Sequence, residues 1–306
     1  FFDAESDLHG LFWQGVRPNA GFGEACFVLY DGDQELVRSV NMHVPVAADI
    51  GEERTAADKQ RFECLEPWRH WRASYQDGDT TATVDWHMLS SVCDWQWGPD
   101  AKRFEHAGRV HVEAEVGGRS ISFDGFGQRD RAWGRRNYSP MTFTWWWVAQ
   151  FPDEVAVQAF IAQLDDGSQG MMGYLHQDGE TRNIVSMDVT DIEMGPHGGP
   201  AVAGKMLVVD ELGRRLECTG IELMHGLTFG TAPGGSQLEE HDPSENAKNR
   251  MYLSFYKFTR ADGVVANGMI DNNVLHRPDG DYPTELHFEG ESATVILGHG
   301  NEAAAR

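Results

Sequence analysis

Seven Asp-Gly pairs, beginning at Asp31, Asp77, Asp124, Asp166, Asp178, Asp262 and Asp279, punctuate stretches rich in Val, Ile, Thr, Phe, Tyr and Trp. Asp-Gly supplies the positive φ angles of a tight hairpin turn, so this punctuation predicts a chain that doubles back repeatedly as antiparallel β structure. A first set of strands is expected over Cys26–Tyr30, Glu35–Val46, Glu66–Tyr75, Thr80–Leu89, Arg109–Val116 and Ser120–Phe123. A second set runs through Thr142–Phe151, Val155–Leu164, Gly170–His176, Asn183–Ile192, Lys205–Asp210, Leu216–Leu223, Met251–Thr259, Val264–Asp271 and Thr284–Phe288. Only Glu52–Gln60 and Ser244–Asn249 read as helical, Gly195–Gly204 and Thr231–Asn249 read as long loops, and Ala303–Arg306 reads as a frayed end. Each strand set suffices for its own barrel or sandwich. The polar, Arg-rich passage from Gly125 to Pro140 separates them, which predicts two consecutive β domains, 1–136 and 137–306.

At 306 residues and 41% hydrophobic content the chain can bury a sizeable core. A formal charge of −23 repels nucleic acid and anionic membrane surfaces, and no apolar run is long enough for a spanning helix. Neither nucleic acid nor integral membrane association is therefore expected. The opening Phe1 to Glu5 shows neither the basic nor the apolar region of a secretory signal. Cys26, Cys64, Cys93 and Cys218 form no Cys-x-x-Cys pair, which fits buried free thiols and a cytoplasmic setting. Thirteen histidines are scattered without a metal-binding spacing, and no phosphate loop, dinucleotide fingerprint or serine-hydrolase elbow is present. No metal and no cofactor are expected; oligomeric state is left open.

The chemistry-bearing stretch is Gly125 to Arg136, where four arginines surround Asp130, followed by Trp145, Trp146 and Trp147. In an extended segment Arg129, Arg131 and Trp133 share one face while Asp130 looks the other way. Asp130 is then either an acid or base facing a cavity or one half of a structural ion pair. The strand through Phe143–Phe151 is apolar on both faces, with Phe143, Trp145, Trp147 and Ala149 on one side and Trp146 and Val148 on the other. Such a strand is a central packing element or the indole wall of an apolar pocket that attracts a cation. Asp271, after the apolar run Val264–Ile270, is a second candidate acid or a turn residue at a strand end. Tyr138, His43 and Glu24 are further candidates for the proton donor.

The run Gly127 to Arg136, with Trp145–Trp147 behind it, resembles the group of carotenoid hydratases, tocopherol-cyclase-like proteins and AttH-type proteins. Its Arg-Asp-Arg-x-Trp-Gly pattern falls on Arg129, Asp130, Arg131, Trp133 and Gly134, with Arg135 where relatives often carry proline. The resemblance implies two consecutive lipocalin-like β-barrel domains and an apolar ligand. It also implies acid-initiated addition of water or an internal hydroxyl to an isoprenoid double bond. The resulting expectation is a cofactor-independent lyase or isomerase acting on a terpenoid- or steroid-like molecule. In it Asp130, Asp271, Tyr138, His43 or Glu24 handles the proton, and Trp133, Trp145, Trp146, Trp147, Arg129 and Arg131 line the substrate. The alternatives are a non-catalytic carrier of a lipophilic ligand, since barrels readily enclose one, and an interaction scaffold whose indole-rich surface docks a protein.

Overall fold

The structure, a computed structural model, describes residues 1–297 except 4, 18–20, 46–50, 52–53, 99–100, 135–140, 197–198, 232–237, 241–248, 276–281 and 293. The first strands are β1 (Phe2–Asp3), β2 (Leu8–Arg17), β3 (Phe22–Asp31), β4 (Gln34–Pro45), β5 (Arg54–Ala57), β6 (Gln60–Glu66), β7 (His70–Asp77) and β8 (Thr80–Met88). Next come β9 (Val92–Gly98), β10 (Ala101–Val116), β11 (Arg119–Gly134), β12 (Met141–Gln150), β13 (Ala156–Leu164), β14 (Gln169–Gln177) and β15 (Glu180–Met194). The last are β16 (Ala201–Asp210), β17 (Arg215–Thr231), β18 (Leu238–Glu240), β19 (Asn249–Arg260), β20 (Val265–Leu275), β21 (Leu286–Glu289) and β22 (Val295–Leu297). Among the described residues there is no α-helix.

Two antiparallel sheets result. In the first the order is β4-β3-β2-β1-β11-β10-β8-β7-β6-β5, with β9 pairing β10 and β22, and β5 lying against β2 and β3 so that the sheet curls on itself. In the second, β14-β13-β12-β20-β19-β17-β16-β15 closes into a ring because β14 also pairs β15. Closure leaves no unpaired edge on those strands. The fold is all-β, as two lipocalin-like antiparallel barrels. By contacts the described residues of Phe1–Leu89 and Ala107–Gln128 form one compact unit, and those of Ser90–His106 and Arg129–Gly298 another.

Turn chemistry accounts for much of this. The two residues joining β14 to β15, Asp178 and Gly179, both have positive φ, at 55° and 74°, the geometry that twists a two-residue hairpin correctly. The Asp-Gly pairs at Asp31, Asp77, Asp166 and Asp262 likewise sit in hairpin connections, whereas Asp124-Gly125 lies inside β11. There a Cβ on Gly125 would come within 2.0 Å of the Phe2 carbonyl oxygen, so glycine serves close strand approach, not a turn. The pair at Asp279 lies outside the described residues.

Inside the first unit Phe27, Leu29, Val84, Trp86, Val110 and Val112 alternate inward from their strands to form the core. Inside the second the core gathers Phe143, Trp145, Trp147, Tyr252, Tyr256 and Phe258. The expected division of faces on β12 is thus found: Trp145 and Trp147 fill the barrel, and Trp146 points to the other side.

Three expectations are corrected. Of the stretch expected to be helical at Glu52–Gln60, the described part from Arg54 on is not: Arg54–Ala57 and Gln60–Glu66 form a hairpin turning at Asp58, where φ is 53°. Its Glu, Arg, Ala and Lys content favours helix, but Ala57 buries against Ala25 and Val44, and packing overrides propensity. Gly195–Gly204 is not a long loop, since Gly195 N–H bonds the Pro200 carbonyl at 2.8 Å and β16 begins at Ala201. Asp271 is not a strand-end turn residue: it sits mid-strand, paired with Trp146 on one side and Leu253 on the other. Of Thr231–Asn249, Leu238–Glu240 pairs with Phe229–Thr231 and Asn249 opens β19. The helical expectation at 244–248 and the frayed end at 303–306 lie outside the described residues.

Candidate active site

The second unit brings together the first part of β10, the end of β11, and the outer faces of β12 and β20. Side chains alternate along β10, so Arg103 and Glu105 face one way and Phe104 and His106 the other. Each row then meets the matching row of β11. Asp130 reaches Arg103, with Oδ2 at 2.5 Å from Nη2. On the opposite face Arg129 lies over the Phe104 ring at 4.9 Å and contacts His106 Nε2 at 3.2 Å, and Trp133 meets Phe104 edge-on at 5.8 Å. The partition of Arg129 and Trp133 from Asp130 follows directly from strand period.

Arg103 is the hub. Its Nη2 also lies 2.5 Å from Glu105 Oε1, and the guanidinium sits over the rings of Trp95 at 5.1 Å and Trp146 at 5.6 Å. Glu105 is fully buried and additionally accepts from the Trp146 indole N–H, at 3.2 Å to Oε1 and 3.3 Å to Oε2. A buried carboxylate is tolerable only when charge and lone pairs are both met, and here one guanidinium and one indole meet them. The buried Cys93 thiol is pushed well up in pKa by desolvation and by the nearby Glu105, so it stays protonated. Burial, and secondarily the Arg129 charge, holds His106 well below the ordinary histidine range, which makes it a neutral hydrogen-bonding group.

Asp271 occupies the position across from Trp146 on β20. It is partly buried, and its Oδ1 is shielded from solvent with no hydrogen-bond partner. Desolvation raises its pKa to about 7; Arg103 pulls it down and Asp130 pushes it up. The three carboxyl groups therefore differ in kind. Glu105 and Asp130 share the one guanidinium, and Asp271 feels it without a direct bond. A carboxyl that holds its proton near neutrality beside a fixed cation and two acceptors is suited to giving a proton up and taking it back.

The other sequence candidates are placed as follows. Trp145 and Trp147 are fully buried in the barrel core, and their indole N–H groups have no hydrogen-bond partner. Trp133 is about half exposed and Arg131 partly buried. Glu24 and His43 belong to the first unit: Glu24 is buried and bound to Arg17 Nε at 2.7 Å, and His43 is exposed and stacked on Phe22 at 4.6 Å. Tyr138 lies outside the described residues. The structure thus joins Asp130, Asp271 and Trp146, and adds Arg103, Glu105 and Trp95, which sequence reasoning missed. Their signal was faint: Arg103 and Glu105 are two apart, on one face of a strand that reads from the sequence as beginning only at Arg109. Gly134, from the Arg-Asp-Arg-x-Trp-Gly pattern, has φ of 95°, and Gly127 accepts the Trp86 indole N–H at 3.1 Å, so part of that motif is architectural. Among the described residues no three His, Cys, Asp or Glu side chains converge as a metal cage.

Solved structures share this architecture. A protein described as AttH from Nitrosomonas europaea superposes with a TM-score of 0.61 at 16% identity, over 84% of this chain and 81% of that one. Kievitone hydratase from Nectria haematococca gives 0.61 at 10% identity, over 91% of this chain and 88% of the other. CghA with Sch210972 gives 0.55 at 12% identity, covering 90% and 89%. At such identities the likeness shows the double lipocalin-like barrel and nothing finer. No curated protein matches the sequence. A family model does match, over residues 1–242, and the chain accordingly belongs to the family described as Domain of unknown function (DUF7064).

Proposed function

We propose that this protein is a hydratase- or cyclase-type enzyme that protonates an apolar, unsaturated terpenoid- or steroid-like molecule with Asp271. The observation that carries the reading is the Asp271 carboxyl itself, shielded at Oδ1 and unbonded there, beside an arginine already engaged by two other carboxyl groups. The fold likeness to a hydratase is consistent with it. Asp271 donates its proton to one carbon of a double bond, the π pair forms the new C–H bond, and the other carbon becomes cationic. Water, or a hydroxyl of the same molecule, adds its oxygen lone pair there, and the proton it sheds returns to the Asp271 carboxylate. Two carboxyl groups around one guanidinium leave an excess of negative potential that favours the transient cation. Asp130 is then an orienting and field-setting group, because its carboxyl is engaged in a direct bond to Arg103.

The test is incubation of purified protein with neutral isoprenoid alkenes in deuterated water, following carbon-bound deuterium by mass spectrometry. The wild type incorporates deuterium and Asp271→Asn does not. Full incorporation by Asp271→Asn sinks the assignment, and return of every candidate unchanged from the wild type points to a carrier instead.

A further inference from the structure

The outer face of the first unit carries two imidazoles that the proposed chemistry does not use. On β7 and β8 the side chains of Ala73, Tyr75, Val84 and Trp86 pack into the core, so His70, Arg72, Asp85 and His87 alternate to the opposite face. Register sets His70 directly across from His87, and Arg72 across from Asp85. The Met88 N–H bonds the Arg69 carbonyl at 2.9 Å, which makes Arg69 and Met88 a hydrogen-bonded pair. The next pair along, His70 and His87, is therefore a non-hydrogen-bonded one, the kind in which side chains lie closest. Their rings accordingly stack with centroids 4.1 Å apart and planes at 25°.

Asp85 holds one of the two rings. His70 Nε2 lies 2.9 Å from Asp85 Oδ1, and Arg72 donates to the same oxygen from Nε at 2.9 Å and to Oδ2 from Nη2 at 2.8 Å. A carboxylate only accepts, so the His70 proton sits on Nε2 and the ring's lone pair on Nδ1. His87 is exposed, and no described side chain bonds its ring nitrogens. Glu66 stands opposite His70 on β6 and Arg109 opposite His87 on β10, both exposed, so the flanking charges offset each other while Asp85 offsets Arg72. His287 on β21 also meets a carboxylate, that of Asp188, but stacks on no second imidazole among the described residues.

We propose that His70 and His87 form a surface site for a late first-row divalent metal ion such as copper(II), nickel(II) or zinc(II), with Asp85 as the outer carboxylate that fixes the His70 ring. Imidazole is a ligand these ions favour, and a carboxylate on the far nitrogen orients the ring and raises its basicity. Two ligands on paired strands close on one ion by side-chain rotation alone, which keeps the ordering cost small. Asp85, with both oxygens engaged, is not a ligand. The site has two protein ligands and leaves its other coordination positions to water. The sequence conceals it, because only strand pairing brings the two histidines together. This site does not rest on the assignment of Asp271.

Copper(II) is the probe. Affinity is read at fixed pH by competition with a chromophoric chelator, and the number of bound imidazoles by pulsed electron paramagnetic resonance with less than one equivalent of metal. Expected is one tight site per chain with two imidazoles on the ion. His70→Gln and His87→Gln each weaken binding about tenfold or more and leave a single imidazole, and Asp85→Asn weakens it about tenfold. His287→Gln changes neither reading. His87 is exposed, so His87→Gln carries the test alone if His70→Gln disturbs the fold. Wild-type affinity in His87→Gln, a single imidazole on the ion in the wild type, or an equal loss in His287→Gln overturns the proposal.

Discussion

Glu24 and Asp271 are both shielded carboxyl groups on β strands of a barrel, and they have been treated in opposite ways. In the first unit Glu24 meets Arg17 at 2.7 Å, while in the second Asp271 keeps an oxygen out of solvent with nothing bound to it. A carboxylate paired with its own guanidinium serves as a structural tie. A carboxyl whose nearest guanidinium is already engaged elsewhere stores the cost of burial as proton affinity. The lesson is that burial alone marks neither structure nor function; the assignment of the available cations does.

The sharpest way to break the comparison is at Asp271. Asp271→Asn is expected to cost about 10²- to 10⁴-fold in turnover, the usual contribution of a positioned general acid, while leaving the circular dichroism spectrum unchanged. The same variant tests the linkage. A native pKa near 7 against an unfolded carboxylate near 3.8 means the native state binds the extra proton between those values. Native stability therefore declines as pH rises from about 4 to about 7, by up to about 4 kcal/mol, and the penalty persists above that range. Urea titrations across that window should show the decline in the wild type and a flatter profile in Asp271→Asn; identical profiles would refute the raised proton affinity.

Arg103→Met probes the hub. It takes away the guanidinium that meets the fully buried Glu105 carboxyl, so a loss of about 3–5 kcal/mol is expected by denaturant unfolding. A loss under about 1 kcal/mol would mean that Glu105 simply protonates. Glu24→Gln is smaller, about 1–3 kcal/mol, because Arg17 is itself about a third exposed and can turn to water. It should leave turnover per folded molecule untouched, and a turnover defect there would reverse the roles given to the two carboxyls. Smallest is Asp130→Asn, whose side chain is 38% exposed. Removing its charge lowers the Asp271 pKa, so the basic limb of the pH–rate profile moves to lower pH; movement to higher pH contradicts the arrangement.

How much of this was readable beforehand differs by element. The Asp178-Gly179 hairpin and the split of Trp145 and Trp147 from Trp146 follow from local backbone preference and a two-residue period, which need no knowledge of partners. β2 escaped the reading because Gly10 and Gly15 dilute its pattern; a Cβ at Gly10 would come within 2.4 Å of the Phe1 ring and of the Val28 carbonyl oxygen. No strand is expected between Leu89 and Arg109, yet β9 lies there as a strand between β10 and β22. The Arg103 cluster was illegible for a stronger reason. Asp130 has arginines on both sides in sequence, yet its bonded partner is Arg103, twenty-seven positions away.

The chain's order of residues therefore settled by itself what is local: where it turns, that it is all-β, which side chains share a strand face, and the motif that marks its kinship. Tertiary structure alone decided which carboxyl received which cation. The physical reason is that adjacent residues on a strand point to opposite sides, so charge neighbours in sequence are separated in space. Proton affinity, which depends on burial and on charges within a few ångströms, is settled only when distant strands meet.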